Sequence, residues 1–233
     1  MATQAPRSVV VTAAIAALVT VVAFAAVVAL RIERERAGAL GNGALFGPTD
    51  TDAASVCGDS PCGVLTSLPI GGTTVELLAD AAGAHGRVRV REPDSDIVIE
   101  TALAAMGVRL GQQSLVCAPA ATSACLVRGD HDGGVVGEVF VARDNWQPAE
   151  RPYFSSGGYL DLVDIAGDDS AEIVVAKEDC IGTAEECAGA PIVVEVFALD
   201  GKSLGCTEAY RGLDQLPGWP EVAPATADLG ACQ

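Results

Sequence analysis

Aromatic residues are scarce, at 4% of 233 residues: two tryptophans, three tyrosines and five phenylalanines. Any core must therefore be built from Val, Leu, Ile and Ala, and 50% hydrophobic content supplies them. Lysine is nearly missing, with Lys177 and Lys202 standing against twelve arginines. Cations as a whole are outnumbered, 14 against 31 acidic residues, for a net charge of −17. Clustered Lys and Arg are what phosphate binding needs, so this balance excludes nucleic-acid partners. There is no G-x-S-x-G, S-x-x-K, H-E-x-x-H or P-loop sequence, which removes the hydrolase and nucleotide-binding classes those motifs mark. The chain is expected not to be an enzyme. No cysteine pair has C-x-x-C spacing, which removes zinc knuckles and thioredoxin-type redox motifs.

One long apolar run is present. Val9–Leu30 carries no charged residue and lies between Arg7 and Arg31. Twenty-two residues at about 1.5 Å rise span about 33 Å, enough to cross a bilayer core of about 30 Å. The run is too long for the apolar region of a cleaved signal peptide. Five charged residues separate it from Ala37-Gly38-Ala39, which mimics a cleavage site. An uncleaved single-pass anchor follows, with the lipid bilayer as its first partner. Residues 1–8 are a cytoplasmic N-terminus, 9–30 the transmembrane helix, and 31–56 a juxtamembrane helix and linker. Residues 57–233 form the domain outside. Segment 1–36 has net charge +2, which leaves −19 for the remainder.

Arg31, Arg34 and Arg36 outnumber Arg7 plus the amino terminus, and by charge alone would hold the C-terminal side in the cytoplasm. Long domains translocate largely regardless of charge, so the cysteines decide. Eight of them fall as Cys57 and Cys62, Cys117 and Cys125, Cys180 and Cys187, Cys206 and Cys232. An even count beside an export segment reads as four disulfides in an oxidising compartment. Eight cysteines allow 105 connectivities; neighbour with neighbour is the pairing expected, because the first three couples span short polar loops. The localisation is then the plasma membrane, with the C-terminal domain outside the cytoplasm. Its partner would be an extracytoplasmic protein or the cell wall. The Arg-over-Lys bias, with abundant Ala, Gly and Val, is that of a high-GC bacterial genome.

Along the domain, Thr73–Ala79, Arg87–Arg91, Val135–Ala142, Tyr159–Ile165, Glu172–Lys177 and Ile192–Leu199 read as strands, with a hairpin turn at Asp200-Gly201. Ile99, Leu103, Met106 and Leu110 recur at helical spacing and predict one helix near 96–106. Arg143–Gly158 reads as a loop. Its Trp146, Tyr153 and Phe154, with Tyr159 beyond it, either cap the core or line a sugar- or peptide-binding face. His131 reads as a surface turn histidine, and His85 has no evident partner.

Two stretches align 34 residues apart. Asp130-His-Asp132-Gly133-Gly-Val-Val-Gly-Glu138 lies over Asp164-Ile-Ala166-Gly167-Asp168-Asp-Ser-Ala-Glu172, each running into a strand. A weaker third copy is Asp80-Ala-Ala82-Gly83. This pattern, over about residues 125–177, resembles the FG-GAP or VCBS repeats of integrin-alpha-like β-propellers, here in a bacterial membrane-anchored protein. There the loop reads roughly D-x-D-G-D-G-x-x-[DE], and its first, third, fifth and ninth positions hold calcium. The resemblance implies Asp130, Asp132 and Glu138 as ligands in one loop and Asp164, Asp168 and Glu172 in the other. Gly134 replaces the fifth-position ligand of the first and Ala166 the third-position ligand of the second. Each loop lacks one oxygen donor, so at most weak Ca2+ binding is implied. The simpler reading of both is a tight Asp/Gly turn in which Asp caps its own backbone.

The fold expected is mainly β, an antiparallel sheet or partial propeller-like arrangement, with one short helix and the transmembrane helix before it. The function expected is a membrane-anchored extracytoplasmic domain of binding or structural role. A calcium-dependent adhesion or sensing module is the alternative. A cell-envelope glycan hydrolase using Asp161 and Asp164 is a second alternative, although at i,i+3 on a strand those carboxylates face opposite sides.

Overall fold

The computed structural model describes residues 56–182, 186–187 and 189–232. The predicted transmembrane segment 9–30 lies outside the described residues. Among the described residues no helix is long and apolar enough to cross a membrane.

The described chain is almost entirely antiparallel β-structure. A two-residue ribbon, β1 (Val56–Cys57) with β2 (Ser60–Pro61), opens it. Three four-membered meanders follow. The first sheet has β3 (Gly63–Ile70), β4 (Thr73–Ala79), β5 (Gly86–Glu92) and β6 (Ser95–Glu100) in that order. The second has β7 (Leu115–Ala118), β8 (Ala124–His131), β9 (Gly134–Ala142) and β10 (Trp146–Pro148). A short β11 (Tyr153–Ser155) shares the outer edge of β9. The third has β12 (Leu160–Val163), β13 (Glu172–Glu178), β14 (Ile192–Phe197) and β15 (Ser203–Cys206). Their second strands start at Thr73, Ala124 and Glu172, so the unit recurs after 51 and then 48 residues.

Strand alternation builds the stack. In β8, Cys125 and Val127 face the first sheet, where they join Val75, Leu77, Val88 and Val90. Ala124 and Leu126 point the other way, onto Leu160, Leu162, Ile173 and Val175 of the third sheet. β13 repeats the division: Ile173 and Val175 turn inward, while Val174 and Ala176 turn outward with Val194 and Val196. That outer face is covered by the C-terminal segment through Leu216 and Val222. Because successive side chains point to opposite faces, a strand buried on both sides reads as a continuous apolar run. Each fully buried Val or Leu contributes about 1.5–3 kcal/mol, which is how a core poor in aromatics is assembled.

All eight cysteines are paired as neighbours: Cys57–Cys62, Cys117–Cys125, Cys180–Cys187 and Cys206–Cys232, with Cα separations of 5.0, 4.0, 5.6 and 4.9 Å. Cys117 and Cys125 stand directly opposite across β7 and β8.

The helix predicted near 96–106 is not formed as such. Residues up to Glu100 run as β6, and only Ala102–Met106 turns, as a 3-10 segment ended by Gly107 at φ 75°. Pairing of Val88 with Ile99 and Val90 with Ile97 decides the conformation over local periodicity. The four spaced apolar residues still meet in one core, Leu103 and Leu110 buried and Ile99 and Met106 packed against them. The predicted loop Arg143–Gly158 contains β10 and β11. β3, β7 and β8 had no strand prediction.

Candidate functional site

The two acidic loops occupy different places in the stack. Asp130–Glu138 spans the β8–β9 hairpin, between the second and third strands of its sheet. Asp164–Glu172 joins the first and second strands of the next sheet. The 34-residue offset thus aligns non-equivalent hairpins, out of step with the 48–51-residue recurrence of the sheets.

In the first loop, His131 pairs with Gly134, leaving a two-residue turn. Asp132 and Gly133 both have positive φ, 44° and 82°, as a type I′ turn requires. The exposed Asp132 carboxylate lies 3.3 Å from His131 Nε2, and the His131 ring meets Phe154 edge-on at 6.4 Å. An open depression of about 380 Å³ lies here, lined by residues 130–135 and Gly158. Glu138 takes no part in it. It sits four residues along β9 from Gly134, about 13 Å, on the face shared with Val136 and Phe140. Its buried carboxylate accepts a hydrogen bond from Ala102 N at 2.8 Å, where the 3-10 segment begins. Burial raises the Glu138 carboxyl above its ordinary value, only partly offset by that bond.

In the second loop each carboxylate serves its own backbone. Asp164 accepts from Gly167 N at 2.7 Å and Asp168 from Ser170 N at 3.0 Å. Glu172 is buried and accepts from Ile165 N at 2.9 Å. Its carboxyl is raised by burial first and then by the charges of Asp168 and Asp164, against the backbone donors that lower it. Calcium takes six to eight oxygens at about 2.3–2.6 Å. Among the described residues, the only three His, Cys, Asp or Glu groups whose ligand atoms fall within 4.8 Å of one another are Glu195, Cys206 and Cys232. The last two are bridged to each other. Neither predicted calcium set is among the groups gathered this closely; in the second loop Asp164 and Asp168 cap their own turn, and in the first Asp132 faces His131.

The other singled-out residues are committed elsewhere. Asp161 pairs with Arg128 at 3.1 Å, and Arg128 also donates to Leu160 O. Arg128, Gly129 and Asp130 all lie within β8, paired with β9. Trp146 and Tyr153 are buried in the core, Tyr159 packs on the third sheet's outer face, and Phe154 is 44% exposed. His85, which had no evident partner in the sequence, bonds Asp80 at 2.9 Å. Asp80 also accepts from Ala84 N, and these bonds, His85 first, hold its carboxyl below its ordinary value. Gly83 in that loop is at φ 66°, and a Cβ there would lie 2.3 Å from Leu110 O.

Two interactions carried no sequence signal. Ser155 is fully buried; its Oγ donates to Ala176 O at 2.6 Å and accepts from Tyr159 N at 2.9 Å, clamping β11 to the third sheet. Glu76, buried on the outward side of β4, accepts from Arg89 Nε at 2.6 Å and lies 3.3 Å from Arg91. Such pairings depend on strands 13 and 15 residues apart.

Compared with known proteins, the chain matches no family model, no curated protein and no solved structure.

Proposed function

We propose that this chain is an exported, disulfide-pinned β module, held at the outer face of a plasma membrane by residues 9–30 and serving a binding or structural role. The observation that carries this reading is the pairing of all eight cysteines in four bridges. Such a density of bridges belongs to an oxidising compartment. The strong negative charge is that of a soluble, lipid-repelling domain. Among the buried acidic and hydroxyl groups, Glu76, Glu138, Glu172 and Ser155 are engaged by structural partners, which favours a scaffold over a catalyst, while Thr101 Oγ1 and Tyr153 Oη have no hydrogen-bond partner. The three successive meanders support reading the stack as blades of an open, partial propeller, and it is in this sense that the resemblance to integrin-alpha-like repeats is kept. One end of the stack presents the Glu76–Arg89–Arg91 network and the other is covered by the C-terminal segment, which suits a finished three-sheet unit.

The test is protease added to intact cells. Residues beyond 56 should be shed without opening the cells. A domain untouched until the cells are broken would overturn the topology.

One observation favours a second reading, calcium-dependent adhesion or sensing. Glu172 is raised by burial and then by the neighbouring charges of Asp168 and Asp164 on the same turn, a cost that a cation would relieve. Thermal melts in Ca2+ and in chelator separate the readings. Stabilisation follows the binding of ligand to the native state. The structural reading predicts a Tm difference below about 2 °C, and a larger shift that Asp168→Asn abolishes would establish the second reading.

A further inference from the structure

We propose that the Cys206–Cys232 bridge is a redox latch on a C-terminal strap, residues 207–232, and that its reduction by a dithiol uncovers the outer face of the third sheet. Three observations carry this. The bridge differs from the other three in place: Cys57, Cys125 and Cys187 are each buried, whereas neither Cys206 nor Cys232 is. Exposed bridges are the ones open to thiol exchange. It also differs in what it closes, a sequence separation of 26 against 5, 8 and 7. Loss of one of the short bridges frees a turn; loss of this one frees a strap.

The strap is also weakly woven into the sheet. It contributes no strand to it; its backbone pairings are the isolated ones of Tyr210 with Ile192 and Gly230 with Cys206, and at its root Thr207 N donates to Val194 O while Thr207 Oγ1 accepts from Val194 N at 3.0 Å. The centre of what it covers is apolar: Val174, Ala176, Val194 and Val196, all 0% exposed in one cluster with Leu216 and Val222. At its crest Trp219 is 42% exposed and rests on Tyr159, their ring centres 6.2 Å apart, while Tyr159 Oη accepts from Val222 N at 3.0 Å.

The exchange balances without further reagents. A thiolate of the dithiol attacks the exposed Sγ of Cys232, forming a mixed disulfide and expelling Cys206 as a thiolate that takes a proton. The second thiol of the reductant then closes its own disulfide and releases Cys232. Two electrons and two protons pass to the bridge.

The experiment is graded reduction of the native full-length chain in detergent with dithiothreitol, followed by alkylation and mass-spectrometric location of each labelled cysteine. Cys206 and Cys232 should label more than about tenfold faster than the other six. Trp219 emission should shift to the red as they do, while the buried Trp146 keeps its own signal, isolated in a Trp219→Phe control. Amide exchange should accelerate over 207–232 alone, and a Cys206→Ser/Cys232→Ser variant should show the same exchange pattern without reductant. Simultaneous labelling of all four bridges would overturn the proposal. So would early labelling of Cys206 and Cys232 with no change in Trp219 emission or in exchange over 207–232.

Discussion

Single side chains that join separate strands hold this molecule's sheets in register, and each has a measurable cost. Ser155 Oγ accepts from Tyr159 N and donates to Ala176 O. Ala176 O keeps a second donor in Gly157 N, whereas Tyr159 N would lose Ser155 Oγ as its acceptor. Ser155→Ala should therefore destabilise by about 1–3 kcal/mol, the cost of one buried orphaned donor, read from chemical denaturation. Glu138 behaves differently because its charge is itself unfavourable. Burial raises its carboxyl above 4.5, so the folded state holds the proton more tightly than the unfolded chain. Its contribution is neutral below the ordinary value and becomes a penalty as pH rises through the folded one. Glu138→Gln keeps an oxygen for Ala102 N and removes the charge. It should be at least as stable as the parent at pH 7, with a flatter fall in stability from about pH 4.5 to 7. A loss of stability at pH 7 would show that the charge is needed. Asp80 has the opposite sign: its lowered carboxyl supplies stability above 3.8 that disappears as pH falls.

At the scale of elements, what could be read from sequence depended on whether a strand is buried on one face or two. Arg87–Arg91 alternates arginine with Val88 and Val90, and the structure puts those valines in the core and the arginines outside. β8 and β3 escaped notice for physical reasons. β8 is buried on both faces and runs into Arg128-Gly129-Asp130, so it has no period of two. β3 carries Pro69 and a register shift between Val64 and Thr66, the marks of an edge strand. The helical spacing of Ile99 to Leu110 identified four residues that meet in one core, but not the path of the chain between them. Both acidic loops were legible as turns, and in the second the expected capping aspartates are Asp164 and Asp168. The departure of Glu138 to Ala102, 36 residues away, had no signal in sequence because it is a contact between sheets. The two-faced strands make a direct prediction. Leu126→Ala in β8, from a site 0% exposed between the second and third sheets, should cost about 2–5 kcal/mol. A cost under about 1 kcal/mol would mean that these sheets are not packed as described.

For the whole molecule, compartment and covalent framework are one claim. An aliphatic core in three stacked sheets is closed by four bridges, of the kind that persist in oxidising compartments. The neighbour pairing follows from strand register in one case, Cys117 opposite Cys125, and from short loops in two others. The fourth bridge, tying the strap, was expected as the remaining neighbour pair but had no short loop to support it, since 26 residues separate its cysteines. The most direct measurement is thiol trapping in living cells: acid quench, denaturation, alkylation and mass spectrometry of the chain taken straight from the envelope. An exported module predicts that Cys57, Cys62, Cys117, Cys125, Cys180 and Cys187 carry no label, whatever the state of Cys206 and Cys232. Label on several of those six would place the domain on the reducing side of the membrane and contradict the account.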